Sequence, residues 1–332
     1  MLRVISIVSF IRVCWALGSL IFIYIKRYML KYFFKRLLHG IPVLFAVSTI
    51  TFLIMRVVPG GPFDQEKRLP PEILSNIHAK YHLDQPAITQ YLLYLKQLVQ
   101  GDMGPSYKYI GRDVADIILD TFPVSLTLGL LAMLVVVGIG IPMGVWSAYR
   151  QNSLVDRVCM FYATLGISIP SFVLGTLLVW LMSHKLQWLP PALWEGPRYM
   201  ILPAIALGAP FSGFIARLTR SAVLEVLASD YIRTARAKGL TEFIILFKHT
   251  LKNSIFPVIS VLGPLTAGLV TGSFVIEFIF SIPGMGSFFI TAVTNRDYPL
   301  IMGVTLVYAV LIVLANILVD IIYMWLDPRV RM

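Results

Sequence analysis

The sequence predicts an all-α integral membrane protein with six core transmembrane helices, and three observations predict it. Hydrophobic residues fill 58% of the 332 positions and charged ones only 14%, whereas an average soluble domain is about a quarter charged. The apolar residues fall into separate runs close to the roughly twenty that cross a bilayer core. Lys and Arg collect in the segments that join alternate runs, as membrane insertion requires. With a mean hydropathy of +0.80, one helical membrane domain is expected rather than two soluble ones.

The first run covers residues 37–57, carries Pro42 and follows the basic cluster Lys26, Arg27, Lys31, Lys35 and Arg36. After it comes a polar stretch, 59–122, rich enough in Pro, Gly and charge to form a small extramembrane region. The second run, 124–148, contains Pro142 together with Gly140 and Gly144, whose spacing permits close helix contact. The third, 158–182, contains Pro170, and the fourth, 200–216, contains Pro203 and Pro210. A second polar segment, 217–253, leads to the fifth run, 254–276, with Pro257, Pro264 and the pair Gly268 and Gly272. The sixth is 301–325. Prolines are tolerated in such helices where neighbours or water satisfy the freed backbone groups.

An even number of spans puts both ends of the core on one side. Arg150 and Arg157 join the second and third runs, seven basic residues lie from Arg217 to Lys252, and Arg329 and Arg331 end the chain. The short loops on the other side carry only Lys185, Arg198 and Arg296, while 59–122 mixes six basic with eight acidic residues. The termini and 217–253 are therefore expected in the cytoplasm and 59–122 outside.

Residues 1–28 stand apart from this count. Val4 to Ile25 is long enough to span but carries Arg12 near its middle, at a cost of about 2.5–3.5 kcal/mol on insertion scales. Three readings fit: an extra N-terminal span, an interfacial helix, or sequence upstream of a start at Met29. The net charge of +11 sorts by side of the membrane, so no nucleic-acid partner is inferred from it. Cys14 and Cys159 lie in apolar runs without CxxC spacing, so no disulfide framework or zinc site follows.

Chemistry-bearing motifs are mostly missing. The sequence has no GxxxxGK[ST] loop, no HExxH and no GxSxG, so neither ATP binding of the P-loop kind nor hydrolytic catalysis is expected, and no cofactor, metal or catalytic residue is assigned. His78 and His82 have the i, i+4 spacing of a metal pair but lack the third or fourth ligand zinc requires. Asp320, near the end of the last run, is expected to pair with an arginine rather than relay protons. A secondary peptide carrier would need midplane carboxylates and an internal repeat, and neither is evident.

The informative segment is Ser229 to Pro257. Ser229 or Asp230 can cap a short helix, Gly239 can end it in the left-handed conformation, and Thr241 can start the next. The resulting elbow between two spans presents Arg233, Arg236 and Lys238 for docking against a protein; a lipid-facing amphipathic helix is the other reading of those charges. The segment resembles the coupling loop of bacterial ABC importer permeases, whose pattern is Glu-Ala-Ala, three residues, Gly, then a distant Pro. Arg233, Thr234 and Ala235 take the first three places, Gly239 the glycine and Pro257 the proline. The first two depart from the general pattern, although the peptide-permease branch commonly reads in this way.

The resemblance runs from about Met29 to the C-terminus. It includes Arg56 to Pro62, Gly101 to Ser106, Ile169 to Phe172, Glu277 with Phe280 to Gly286, Asn295 to Pro299, and Asp327 to Arg329. The runs at 69–72, 80–86 and 94–98 are similar to the first, B-type, permease subunit of the oligopeptide branch. The resemblance implies a division into the extension 1–28 and a permease domain 29–332 in a bacterial inner membrane. It implies partners as well: a second homologous permease, two cytoplasmic ATP-binding subunits and an extracytoplasmic peptide-binding protein. It also implies that Arg233, Thr234, Ala235, Arg236, Lys238, Gly239, His249, Asn253 and Pro257 couple the permease to an ATPase. Dipeptide or nickel import are the alternatives within the family.

Overall fold

The computed structural model describes residues 33, 35–63, 83–270 and 273–326. His78, His82 and the ends of the chain lie outside them, as do the runs 69–72 and 327–329. Among the described residues the regular elements are helices. These are α1 (Lys35–Val57), α2 (Ala87–Val99), α3 (Val114–Tyr149), α4 (Leu154–Ser168), α5 (Ser171–Lys185), α6 (Pro197–Leu227), α7 (Asp230–Ala237), α8 (Glu242–Val270), α9 (Phe274–Ile279), α10 (Met285–Asn295) and α11 (Tyr298–Leu326). Five of these are long and apolar enough to cross a membrane, and α4 with α5 makes a sixth span when read as one broken crossing.

Three of the expected runs are redrawn. The third, 158–182, is not one straight helix: α4 and α5 meet at 107°. Ile169 takes an extended conformation (φ −89°, ψ 120°), as the residue before a proline prefers, and Pro170 lacks the N–H that would continue the ladder. The fourth run continues to Leu227, so Arg217 and Arg220 belong to α6 rather than to a loop. The fifth begins at Glu242 and ends at Val270. The polar segment expected at 217–253 is thus compressed to a short elbow at 228–241, and the first turns of α3 take up the end of the 59–122 stretch.

At 36 residues, α3 is about 54 Å long at 1.5 Å per residue, well beyond a hydrocarbon core of roughly 30 Å. It packs along α6, where small residues let the backbones approach: a Cβ added to Gly140 would lie 2.7 Å from the Ser212 carbonyl, and one on Gly144 2.5 Å from that of Ala216. Such contact replaces the hydrophobic drive that lipid cannot supply. Gly268 differs from the expectation, since a Cβ there meets no atom within 4 Å. One core gathers Leu128, Val136, Leu207, Ile215, Val258 and Ile276; a second, at the far end, gathers Met55, Ile117, Met285, Leu300 and Val304. At the elbow end of the bundle Asp320 pairs with Arg36 at 3.0 Å, the arginine partner its position called for.

Candidate functional site: the elbow and the assembled motifs

The elbow is built by a complete helix stop. Gly239 adopts φ +75°, its N–H donates to the Arg236 carbonyl at 2.9 Å, and the Leu240 N–H donates to that of Ala235 at 3.3 Å. These are the two bonds of a Schellman motif, and Leu240 supplies the accompanying apolar contact. Ile232 and Ala235 are buried against Ile245 of α8. Ser229 stands at the start of α7, yet its hydroxyl makes no cap bond and donates back to the Val226 carbonyl at 2.6 Å. Thr241 likewise precedes α8 without a side-chain cap.

The expected docking face is only partly free. Arg236 holds Glu242 through two bonds, at 2.9 and 3.3 Å, and so ties the end of α7 to the start of α8. Ala235 is buried, and the Thr234 hydroxyl donates to the Asp230 carbonyl at 3.1 Å. Arg233 keeps 76% of its side chain exposed beside Asp230, and Lys238 is exposed too. His249 lies in a π-helical stretch, Ile245–Thr250, and Asn253 and Pro257 follow on α8. Below the elbow a cluster appears that composition did not signal. Asp156, with 4% of its surface exposed, accepts both Nε and Nη2 of Arg220 at 2.8 Å, the Asn152 N–H at 2.9 Å and the Ser147 hydroxyl.

At the far end the separated sequence motifs converge. Asp297, fully buried, accepts the N–H groups of Tyr107 (3.1 Å), Lys108 (3.3 Å) and Leu300 (3.3 Å) and the Ser106 hydroxyl. One carboxylate thereby caps α11 and seats the 101–108 loop. Arg296 donates to the Gly61 carbonyl and Tyr298 to that of Gly60, both at 3.3 Å. Glu277, also fully buried, accepts the Ser125 hydroxyl at 2.9 Å and the Gly286 and Ser287 N–H groups at 2.7 and 3.2 Å, capping α10. Burial, with the Asp297 charge behind it, pushes the Tyr109 phenol above its ordinary range.

Comparison with known proteins decides what this arrangement belongs to. Residues 140–332 match the family described as the inner membrane component of binding-protein-dependent transport systems, and residues 29–129 match its N-terminal counterpart. The chain belongs to this family. Among curated relatives it is 48% identical to the oligopeptide transport system permease protein OppB of Salmonella typhimurium over 305 residues, 91% of this chain and 100% of the relative. It is 46% identical over 304 residues, 92% of the chain and 99% of the relative, to the dipeptide transport system permease protein DppB of Bacillus subtilis. In fold it resembles the MetNI methionine ABC transporter in inward-facing form, with a TM-score of 0.55 at 17% identity over 64% of this chain and 96% of that one.

Membership makes the chain a transport subunit of an inner membrane, with ATP hydrolysis in a separate subunit and with an ATPase and a substrate-binding protein as partners. Sequence reading missed Asp156 and Ser125, because each acts through a residue distant in the chain, and it gave Tyr231, inside the informative segment, no role. Their partners Arg220, Glu277 and Asn253 each lay in a segment already singled out, but sequence spacing alone could not pair them.

Proposed function

We propose that this chain is the permease subunit of an ATP-driven oligopeptide importer and that its elbow seats on a cytoplasmic ATPase. The observation that carries the substrate class is full-length identity of 48% to a relative named for oligopeptide transport. The elbow's construction supports the coupling role: a short helix, closed by Gly239 and joined to α8 through Arg236 and Ile245, moves as one piece with a span. Arg233 and Lys238 offer outward charge for docking, while Thr234, Ala235, Arg236, His249, Asn253 and Pro257 hold the lever's shape. The assembly contains a second homologous permease, two ATP-binding subunits and an extracytoplasmic peptide-binding protein. The 59–122 region faces outward, and residues 1–28 form an extension outside the working domain 29–332.

Dipeptide import is the second reading, favoured by the 46% identity to the Bacillus subtilis relative. The complex reconstituted in vesicles with its binding protein should take up radiolabelled tetra- and pentapeptides at the expense of ATP. Uptake confined to dipeptides would move the assignment to the second reading, and absence of peptide uptake would overturn both. A chain started at Met29 and assayed in the same way tests the domain division: loss of insertion would place 1–28 inside it.

A further inference from the structure

We propose that the Tyr231 hydroxyl is the latch through which α7 turns α8, which makes Tyr231 a positioning residue for coupling ATP hydrolysis to transport. The proposal rests on the reading of the elbow as the ATPase seat. Tyr231 is the second residue of α7. Its oxygen accepts from Asn253 Nδ2 at 2.8 Å and donates to the His249 carbonyl at 3.3 Å; Asn253 Nδ2 lies 3.3 Å from the same carbonyl. Three groups on two helices thus close one small ring of hydrogen bonds.

The mechanical argument follows from where this ring sits. The apolar contact of Ile232 and Ala235 with Ile245 holds α7 at the beginning of the π stretch. Tyr231 reaches further along α8, to His249 within the stretch and Asn253 beyond it, four and eight residues past Ile245, or about 6–12 Å. The Arg236–Glu242 pair holds the C-terminal end of α7 to the start of α8, and with those holds alone the N-terminal end of α7 can still pivot, so that part of a push from a partner is lost as rotation. With the Tyr231 bonds holding that end as well, rotation of α7 is handed to α8. The carbonyl that receives the latch lies in a π-helical stretch, and such stretches recur at functional sites. His249, next to last in the stretch, is where two side-chain donors gather.

Tyr231→Phe keeps the ring and removes only the hydroxyl, and Asn253→Ala removes the same bond from the other side. Each variant is compared with wild type in the complete complex, with ATPase co-elution, melting temperature, ATP hydrolysis and peptide uptake measured together. A merely structural bond would move the first two readings; a latch should leave them unchanged and lower the peptide moved per ATP by about fivefold. The double variant should lose no more than either single one. A wild-type ratio in Tyr231→Phe, additive losses in the double variant, or failure of both variants to retain the ATPase would each overturn the latch. A wild-type complex that itself lacks an ATPase or peptide uptake would instead overturn the function on which the latch rests.

Discussion

Gly239 has open space where a Cβ would go, so substitution there tests backbone conformation and charge without a clash. A left-handed conformation costs an ordinary side chain about 1–2 kcal/mol, and Asn and Asp bear it best. Gly239→Asn and Gly239→Asp have the same shape; only the second adds a negative charge beside Arg233 and Lys238. Peptide-stimulated ATP hydrolysis and uptake should fall together in Gly239→Asp and much less in Gly239→Asn, with normal membrane assembly in both. Wild-type coupling in Gly239→Asp would remove the elbow from the coupling path. Asp156 supports a different prediction. Arg220→Met leaves its carboxylate buried and unpaired, at a cost of about 3 kcal/mol, the low end of the range because the Arg220 side chain is 25% exposed. The purified protein should melt lower in Arg220→Met than in the double variant Asp156→Leu with Arg220→Met; equal melting would show the ion pair to be structurally idle. The sequence displays Asp156 only as an acid in a helix's first turn, where such residues are common. Its partner lies 64 residues on, and nothing local announces the pair.

Among the elements, the short helix was the most legible and the broken span the least. Gly239 and the polar run around it gave α7 its limits, since a left-handed stop is a local requirement. Hydropathy alone read 158–182 as one crossing because it measures what is apolar, not which way the chain points; the mark of the 107° bend was the Ile169–Pro170 step. The π stretch leaves its own trace, for the Thr250 hydroxyl is fully buried and has no hydrogen-bond partner among the described residues. An unmet buried hydroxyl is unfavourable, so Thr250→Val should raise stability by about 1 kcal/mol in a thermal melt of the detergent-solubilised chain. A lower melting temperature would mean that this hydroxyl is satisfied after all.

For the whole molecule, apolar run length and charge asymmetry were enough to give an all-helical membrane fold. The side of the membrane that each end faces is a separate matter, and labelling decides it. In intact spheroplasts an impermeant thiol reagent should modify a cysteine at Val99, which is 87% exposed, and spare one at Thr241. The reverse pattern would invert the topology. The convergence at the far end was not legible, because Arg56 to Pro62, Gly101 to Ser106 and Asn295 to Pro299 carry no sign in the sequence that they meet.

That convergence has a consequence for biosynthesis. The bond between Ser106 and Asp297 joins positions 191 apart, so at about 5–20 residues per second the 101–108 loop waits roughly 10–40 s on the ribosome for the carboxylate that seats it. During that interval the early half of the chain is inserted yet unfinished, and exposed to the cell's quality-control proteases. Nascent chains arrested before Asp297 should be cut by added protease within 101–113, and chains arrested after the whole of α11 has emerged should resist. Equal resistance in both would mean that the loop finds its place without waiting for its anchor.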